Sequence, residues 1–189
     1  MKQLRSRSKV KVWEAATAIS RTGNKEQLVP LLRQLRHGIK PFHRAAAAYA
    51  LRGVGYEHTG VIDELIHTLS DTDENPEVRG QAAETLADLS ANAAIPALIK
   101  CLSDRSKSVC SWSAFALGVA GSLCRQSAKR SIPELRRLTE TDHRVVRGFW
   151  TVAEEAEWAI ARLEQREEDS ARIERRCEAA LKKNRIRRT

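Results

Sequence analysis

A Val/Ile-Pro start recurs along this chain, at Val29-Pro30-Leu31, Ile95-Pro96-Ala97-Leu98 and Ile132-Pro133-Glu134-Leu135. Pro30 and Pro96 stand 66 residues apart, two periods of 33, and Pro133 follows 37 residues later. Midway between the first two, Val61-Ile62-Asp63-Glu64-Leu65 carries the same pattern with Asp63 in the proline place. A fixed period of this length, built from helix formers, specifies stacked helical hairpins. The fold class expected is all-α, a right-handed α-solenoid of about four to five hairpins.

Each unit pairs a first helix rich in Leu and Ile with a second helix rich in Ala. The second helices align on a leucine. In the segment Val78 to Leu86 the apolar set is Val78, Ala82, Ala83 and Leu86, at helical spacing. Val109 to Leu117 and His43 to Leu51 fit the same template. Small residues at Ala47/Ala48, Ala82/Ala83 and Ser113/Ala114 let neighbouring helices approach closely. Gly53/Gly55 and Gly118/Gly121 are expected as left-handed helix ends. The units fall at 24–56, 57–91, 92–122 and 125–161, with 12–23 as the second helix of an incomplete leading unit. His143–Ala161 is expected as one long, degenerate helix. The domain division is a basic N-terminal segment at 1–11, the repeats at 12–161, and a charged helix with a basic tail at 162–189.

The formal net charge of +9 points to nucleic acid until it is located. Lys2, Arg5, Arg7, Lys9 and Lys11 lie in residues 1–11, and Lys182, Lys183, Arg185, Arg187 and Arg188 in residues 182–189, with no acid in either stretch. The body is therefore close to neutral. Within it, residues 57–104 carry ten acids against two bases, and residues 105–152 nine bases against three acids. Such banding favours specific complementarity over one continuous phosphate track.

In outline, the chain resembles the HEAT-repeat family, in the short HEAT-like form named after phycobilisome lyases. The resemblance rests on Ile95-Pro96-Ala97-Leu98 with Leu102-Ser103-Asp104, and on Leu69-Ser70-Asp71 with Val78-Arg79 and Ala82-Ala83. It covers about residues 12–161 and implies the fold, not an activity. It also implies a buried ladder in which an acid ending each first helix meets an arginine opening a second helix. Asp71, Asp104 and Asp142 match the acid; Arg44, Arg79 and Arg147 match the base. Cys110 occupies the arginine place in the third unit, where the ladder is expected to break.

Signatures of chemistry are missing from the sequence. His37, His43, His58, His67 and His143 are scattered, with no HExxH and no zinc-like His/Cys interval. No Gly-rich phosphate loop occurs, and no apolar run approaches a membrane span. The four cysteines form no framework and are expected as reduced thiols, with the cytoplasm as compartment. No cofactor, metal or catalytic residue is expected. Two enzymes of related architecture, chromophore lyases and alkylpurine DNA glycosylases, remain as alternatives; for the second, Trp112, Trp150, Asp142 and Glu154 supply the residue types without a motif.

Function is expected on the inner, concave surface lined by the second helices. Two and five positions before the aligned leucine, side chains should point away from the core. These positions hold Tyr49, Glu84 and Phe115, and Ala46, Gln81 and Trp112. Trp112 and Phe115 lie three apart and share a helix face. Either they pack against a neighbouring helix or the C-terminal segment, or they anchor a partner in a groove. The expectation is a non-enzymatic adaptor that binds another protein through Tyr49, Glu84, Trp112 and Phe115. Phosphate contacts from Lys2, Arg5, Arg7, Lys182, Lys183, Arg185, Arg187 and Arg188 form the nucleic-acid alternative.

Overall fold

The computed structural model describes residues 2–56, 58–120, 124–147 and 150–186; the side chains of 2, 147, 177 and 180–186 fall outside that description. The chain divides into two compact units, Met1–Ala97 and Leu98–Thr189.

In the first unit a short 3-10 turn, Lys2–Arg5, precedes α1 (Lys9–Thr22), α2 (Leu28–His37), α3 (Pro41–Val54), α4 (Thr59–Ser70) and α5 (Pro76–Asp88). Proline opens α3 and α5, where a missing N–H costs nothing. Asn75 caps α5 by accepting from the Glu77 amide. α2 packs on α3 and α4 on α5, forming the expected hairpins, and α3 also packs against α1 and α5. The aligned residues Ala47, Ala48, Val78, Ala82, Ala83 and Leu86 form the core between them. The approach is close enough for the Thr85 hydroxyl on α5 to donate to the Ala48 carbonyl on α3 at 3.0 Å.

Glycine works differently from expectation here. Gly55 has φ −96° and is not left-handed. Gly53 lies inside α3, and a Cβ there would stand 1.9 Å from the Ser20 carbonyl oxygen of α1. Its role is backbone contact between second helices. Gly23, at φ 61°, is the left-handed end of α1. In the second unit Gly118 leaves room for Trp158, whose Cζ3 would be 2.6 Å from an added Cβ. Gly121 lies outside the described residues.

The second unit holds α6 (Ile95–Cys101, crossing the boundary), α7 (Lys107–Ala120), α8 (Arg125–Ala128), α9 (Ile132–Thr141), α10 (Val152–Leu163) and α11 (Glu167–Ile186). α10 packs on α7, α9 and α11. The expected long helix from His143 is corrected: β1 (Val145–Arg147) and β2 (Trp150–Thr151) form an antiparallel hairpin. Two consecutive valines and a tryptophan favour extended backbone. The helix begins only where Thr151 and Glu154 close a reciprocal capping box.

Both ends contribute to packing. Leu4 is wholly buried, and the Ser6 carbonyl lies 2.9 Å from His43 Nε2. In α11, Ser170 and Ile173 are buried. The basic N-terminal segment and the charged C-terminal helix therefore carry core side chains. Cys101, Cys110 and Cys124 are free thiols, the first two buried. No helix among the described residues is long and apolar enough to cross a membrane.

Candidate binding faces on the second helices

In the first unit, the faces of α1, α3 and α5 bring together Trp13, Tyr49, Arg52, Gln81, Glu84 and Asp88. Tyr49 and Arg52 sit three apart on α3, so they share a face. Trp13 meets Tyr49 edge-on, with centroids 5.5 Å apart. The Arg52 guanidinium carbon lies 3.9 Å from the Tyr49 ring centroid, a cation–π distance. Arg52 donates to Glu84 at 3.0 Å and pairs with Asp88 at 3.1 Å, while its own Nε is buried with no acceptor. Gln81 donates to the second Glu84 oxygen at 2.8 Å. Burial raises the Asp88 carboxyl; Arg52 pulls it back and Glu84 pushes it further up, leaving it above the ordinary aspartate range.

In the second unit, α7 and α10 carry a line of aromatic rings. Trp112 and Phe115 meet edge-on at 5.6 Å, and Phe115 stacks on Trp158 at 5.3 Å with planes 14° apart. Trp112 and Phe115 are half-buried, whereas Trp158 is 8% exposed. The Trp158 indole donates to Glu174 of α11 at 2.6 Å. Behind the line, Ser111 donates to buried Glu155 of α10 at 3.4 Å. The four site residues named from the sequence thus fall in different units: Tyr49 and Glu84 in the first, Trp112 and Phe115 in the second. Ala46, at the same template phase, is fully buried.

In the ladder places, arginines meet acids and backbone carbonyls. Arg44 grips Glu74 of the next repeat with two bonds, 2.6 and 2.7 Å, and donates to the Gly38 carbonyl at 2.6 Å. Arg79 is buried and donates to the Leu69 carbonyl at 3.1 Å; Asp71 is exposed. Cys110, in the arginine place, directs its thiol to the Leu102 and Asp104 carbonyls at 3.5 and 3.0 Å. Asp142 is held by Arg144; the Arg147 side chain lies outside the description. Arg144 also donates to the Arg105 carbonyl of the preceding repeat at 2.6 Å, closing the gap that Cys110 leaves. Arg44 and Arg79 thus donate to carbonyls at the ends of α2 and α4, while Arg144 donates to a carbonyl in the loop between α6 and α7.

The charge bands serve the same end. Arg36–Glu64, Arg44–Glu74 and Arg52–Glu84 join successive repeats of the first unit, and Arg136–Glu164 repeats the pattern in the second. Many acids of the 57–104 band are thereby engaged within the fold. Burial raises Glu74, but hydrogen bonds from Arg44 and the Asn75 amide outweigh it and leave the carboxyl below its ordinary value.

Candidates for chemistry are engaged structurally. A cleft of ≈ 580 Å³ between α9 and α10 is lined by Arg136, His143, Glu154, Glu157 and Arg166 among others. Its charges are paired, Arg136 and Arg166 with Glu164, and Glu154 with the Thr151 cap. Asp142 and Glu154, the carboxylates of the glycosylase alternative, are both held in such contacts. Burial pushes the Cys110 thiol up to about 11, so it stays protonated near neutral pH. Among the described residues no cluster of three His, Cys, Asp or Glu is arranged to hold a metal ion.

Of the residues proposed to meet phosphate, Arg5 and Arg7 are exposed. Lys182, Lys183 and Arg185 lie in α11 and Lys2 in the 3-10 turn, with side chains outside the description; Arg187 and Arg188 lie outside the described residues. Residues the sequence reading missed are Trp13, Arg52, Asp88, Trp158 and Glu174. Arg52 follows Tyr49 by one turn, a signal present in the sequence; the Trp158–Glu174 contact has none.

A family model described as HEAT repeats matches residues 39–118 and 62–161. Among curated proteins no relative matches. Of solved structures, a crystal structure of an engineered protein is similar at 22% identity and TM-score 0.56, over 86% of this chain and 76% of that one. A designed armadillo repeat protein in complex with peptide (KR)4 is similar at 19% identity and TM-score 0.57, over 96% of each chain.

Proposed function

Since the chain belongs to the HEAT-repeat family, we propose that it is a protein-binding adaptor whose partners contact the faces of its second helices. The observation that carries this reading is the aromatic line on α7. Trp112 and Phe115 stand only partly buried at a helical phase where the repeat needs no large side chain, flanked by buried Ser113, Ala114 and Leu117. Large, rigid rings left accessible on a packed helix supply the anchors that dominate interface energy. Tyr49 and Glu84 give the first unit a face of mixed aromatic and charged character, suited to a polar peptide. The designed armadillo repeat protein, a neighbour in fold, is itself in complex with a peptide; this supports a peptide or protein as partner here.

Peptide-display selection against the intact protein tests the reading, with the salt dependence of the selected ligands compared with that of duplex DNA. Groove-type ligands should be recovered and bind with a shallow salt slope. Phosphate binding through the basic ends would instead weaken steeply with salt. Failure to recover any peptide, together with tight, salt-sensitive DNA binding, would transfer the function to the termini.

A further inference from the structure

In the first unit a cavity of ≈ 270 Å³ opens between the N-terminal 3-10 turn, the last turns of α2 and the start of α3. Arg5, Arg33, Gln34 and His37 line it, and no carboxylate is among its described lining. Residues 33, 34 and 37 share one side of α2. The charge pattern here departs from the rest of the unit. Arg36, Arg44 and Arg52 each hold a glutamate of the following repeat. Arg5 and Arg33 pair with no acid among the described residues. Gln34 is only 7% exposed, yet its side-chain amide has no hydrogen-bond partner among the described residues. A buried amide left without a partner is costly, and here it faces two unopposed guanidiniums across one cavity.

The cavity is held in place by its surroundings. Arg5 sits between Leu4, which is wholly buried, and Ser6, whose carbonyl lies 2.9 Å from His43 Nε2 on α3. A Cβ at Gly38 would stand 2.9 Å from Gln34 Nε2, so glycine keeps space beside the amide. Two carbonyls at this end of α2 that would oppose an anion are already taken. That of Gln34 accepts the Gly38 amide at 2.9 Å, and that of Gly38 accepts from Arg44 at 2.6 Å.

We propose that this cavity binds a terminal phosphate group, with Arg5 and Arg33 supplying charge and Gln34 a neutral donor. Two guanidiniums match the charge of a phosphate monoester, about −1.5 to −2, and its three acceptor oxygens match three donor groups. A carboxylate, with one charge and two oxygens, leaves a donor group unmet. The volume lies below the roughly 300 Å³ at which pockets take whole drug-sized ligands, so the cavity takes one group of its ligand. Ile39, 90% exposed at the rim, offers the carrier an apolar contact. A nucleic-acid backbone presents a row of singly charged diesters and calls for a track of cations instead of one pocket. The carrier is a phosphorylated peptide or a small phosphate ester. The site is separate from the aromatic line on α7 and stands whether or not that line holds a partner.

Calorimetric titration of the full chain tests this with inorganic phosphate, and with a short phosphoserine peptide bearing a leucine beside the phosphoserine. Phosphate should bind saturably at one site, and the unphosphorylated peptide should not compete. Arg5→Gln and Arg33→Gln should each weaken binding at least about tenfold. Arg21→Gln, which removes an exposed arginine outside the cavity, should leave it nearly unchanged. Gln34→Leu should weaken binding with the melting temperature unchanged or raised, because it removes the donor together with a buried polar group. A phosphopeptide that binds more tightly than phosphate, with the gain lost in Ile39→Ser, assigns the group to a peptide; equal affinity assigns it to a small ester. The proposal is overturned if phosphate does not saturate, or if Arg21→Gln weakens it as much as Arg33→Gln. It is also overturned if Gln34→Leu leaves binding intact, as for a cavity that holds only water. Displacement of phosphate by a blunt DNA duplex without terminal phosphates would overturn it as well, since the site would then read diesters.

Discussion

At the residue scale, the contacts that define this molecule are carbonyl-capping donors and a few tightly fitted small residues. Gly53 is the sharpest case. Gly53→Ala puts a methyl group 1.9 Å from the Ser20 carbonyl oxygen, a backbone atom that can give way only if α1 shifts. The expected cost is about 1–3 kcal/mol, read as a lowered denaturation midpoint; an unchanged midpoint would mean that α1 and α3 are not in backbone contact. Titration divides the carboxylates. Glu74, Asp142 and Glu134 are all lowered by their arginine partners. Their contribution is complete above the ordinary carboxylate range of about 4 and is lost as pH falls through their depressed values. Asp88 is raised, so its charge opposes folding once pH exceeds the unfolded value. Asp88→Asn should therefore raise the melting temperature at pH 7, and the gain should vanish below about pH 4. A loss at pH 7 would show that the Arg52 contact outweighs burial and the Glu84 charge.

At the scale of elements, the second helices were legible because their constraint is local. Ala82, Ala83 and Leu86 declare a buried face through spacing alone, and all three are buried. The β1–β2 hairpin was not, since an alanine-rich run after Val152 masks the break, and only the Thr151/Glu154 cap marks it. Thr151→Ala should cost about 1 kcal/mol, measured by chemical denaturation; no loss would mean that the capping box does not determine where α10 starts. The candidate site was legible in part. Template phase pointed to Tyr49, Glu84, Trp112 and Phe115, because outward positions recur with each repeat. It could not point to Glu174, because a contact between α10 and a helix outside the repeat pattern has no period. The arginine places of the ladder put donors near first-helix ends, as Arg44 and Arg79 show, whereas no repeat phase marks Arg144, which reaches the carbonyl of Arg105 in a loop.

At the scale of the whole molecule, a net charge of +9 coexists with unit interiors whose charges are largely engaged between repeats. Any affinity for DNA, RNA or acidic lipid should accordingly reside in the basic ends. Substituting Lys2, Arg5 and Arg7 together with Lys182, Lys183, Arg185, Arg187 and Arg188 by glutamine should abolish such affinity at about 150 mM salt without lowering stability. Retained binding would locate a basic surface in the repeats. Simple deletion of the N-terminal residues is not equivalent, because Leu4 is part of the core. The account's central claim is that Trp112 and Phe115 present an anchor to a partner instead of completing the core. Trp112→Ala measures it directly when ligand affinity and melting temperature are followed together. The account predicts a loss of about 2 kcal/mol of binding, about thirtyfold in affinity, with melting little changed. Intact binding with a loss of about 3–5 kcal/mol of stability, as for a core tryptophan, would contradict it.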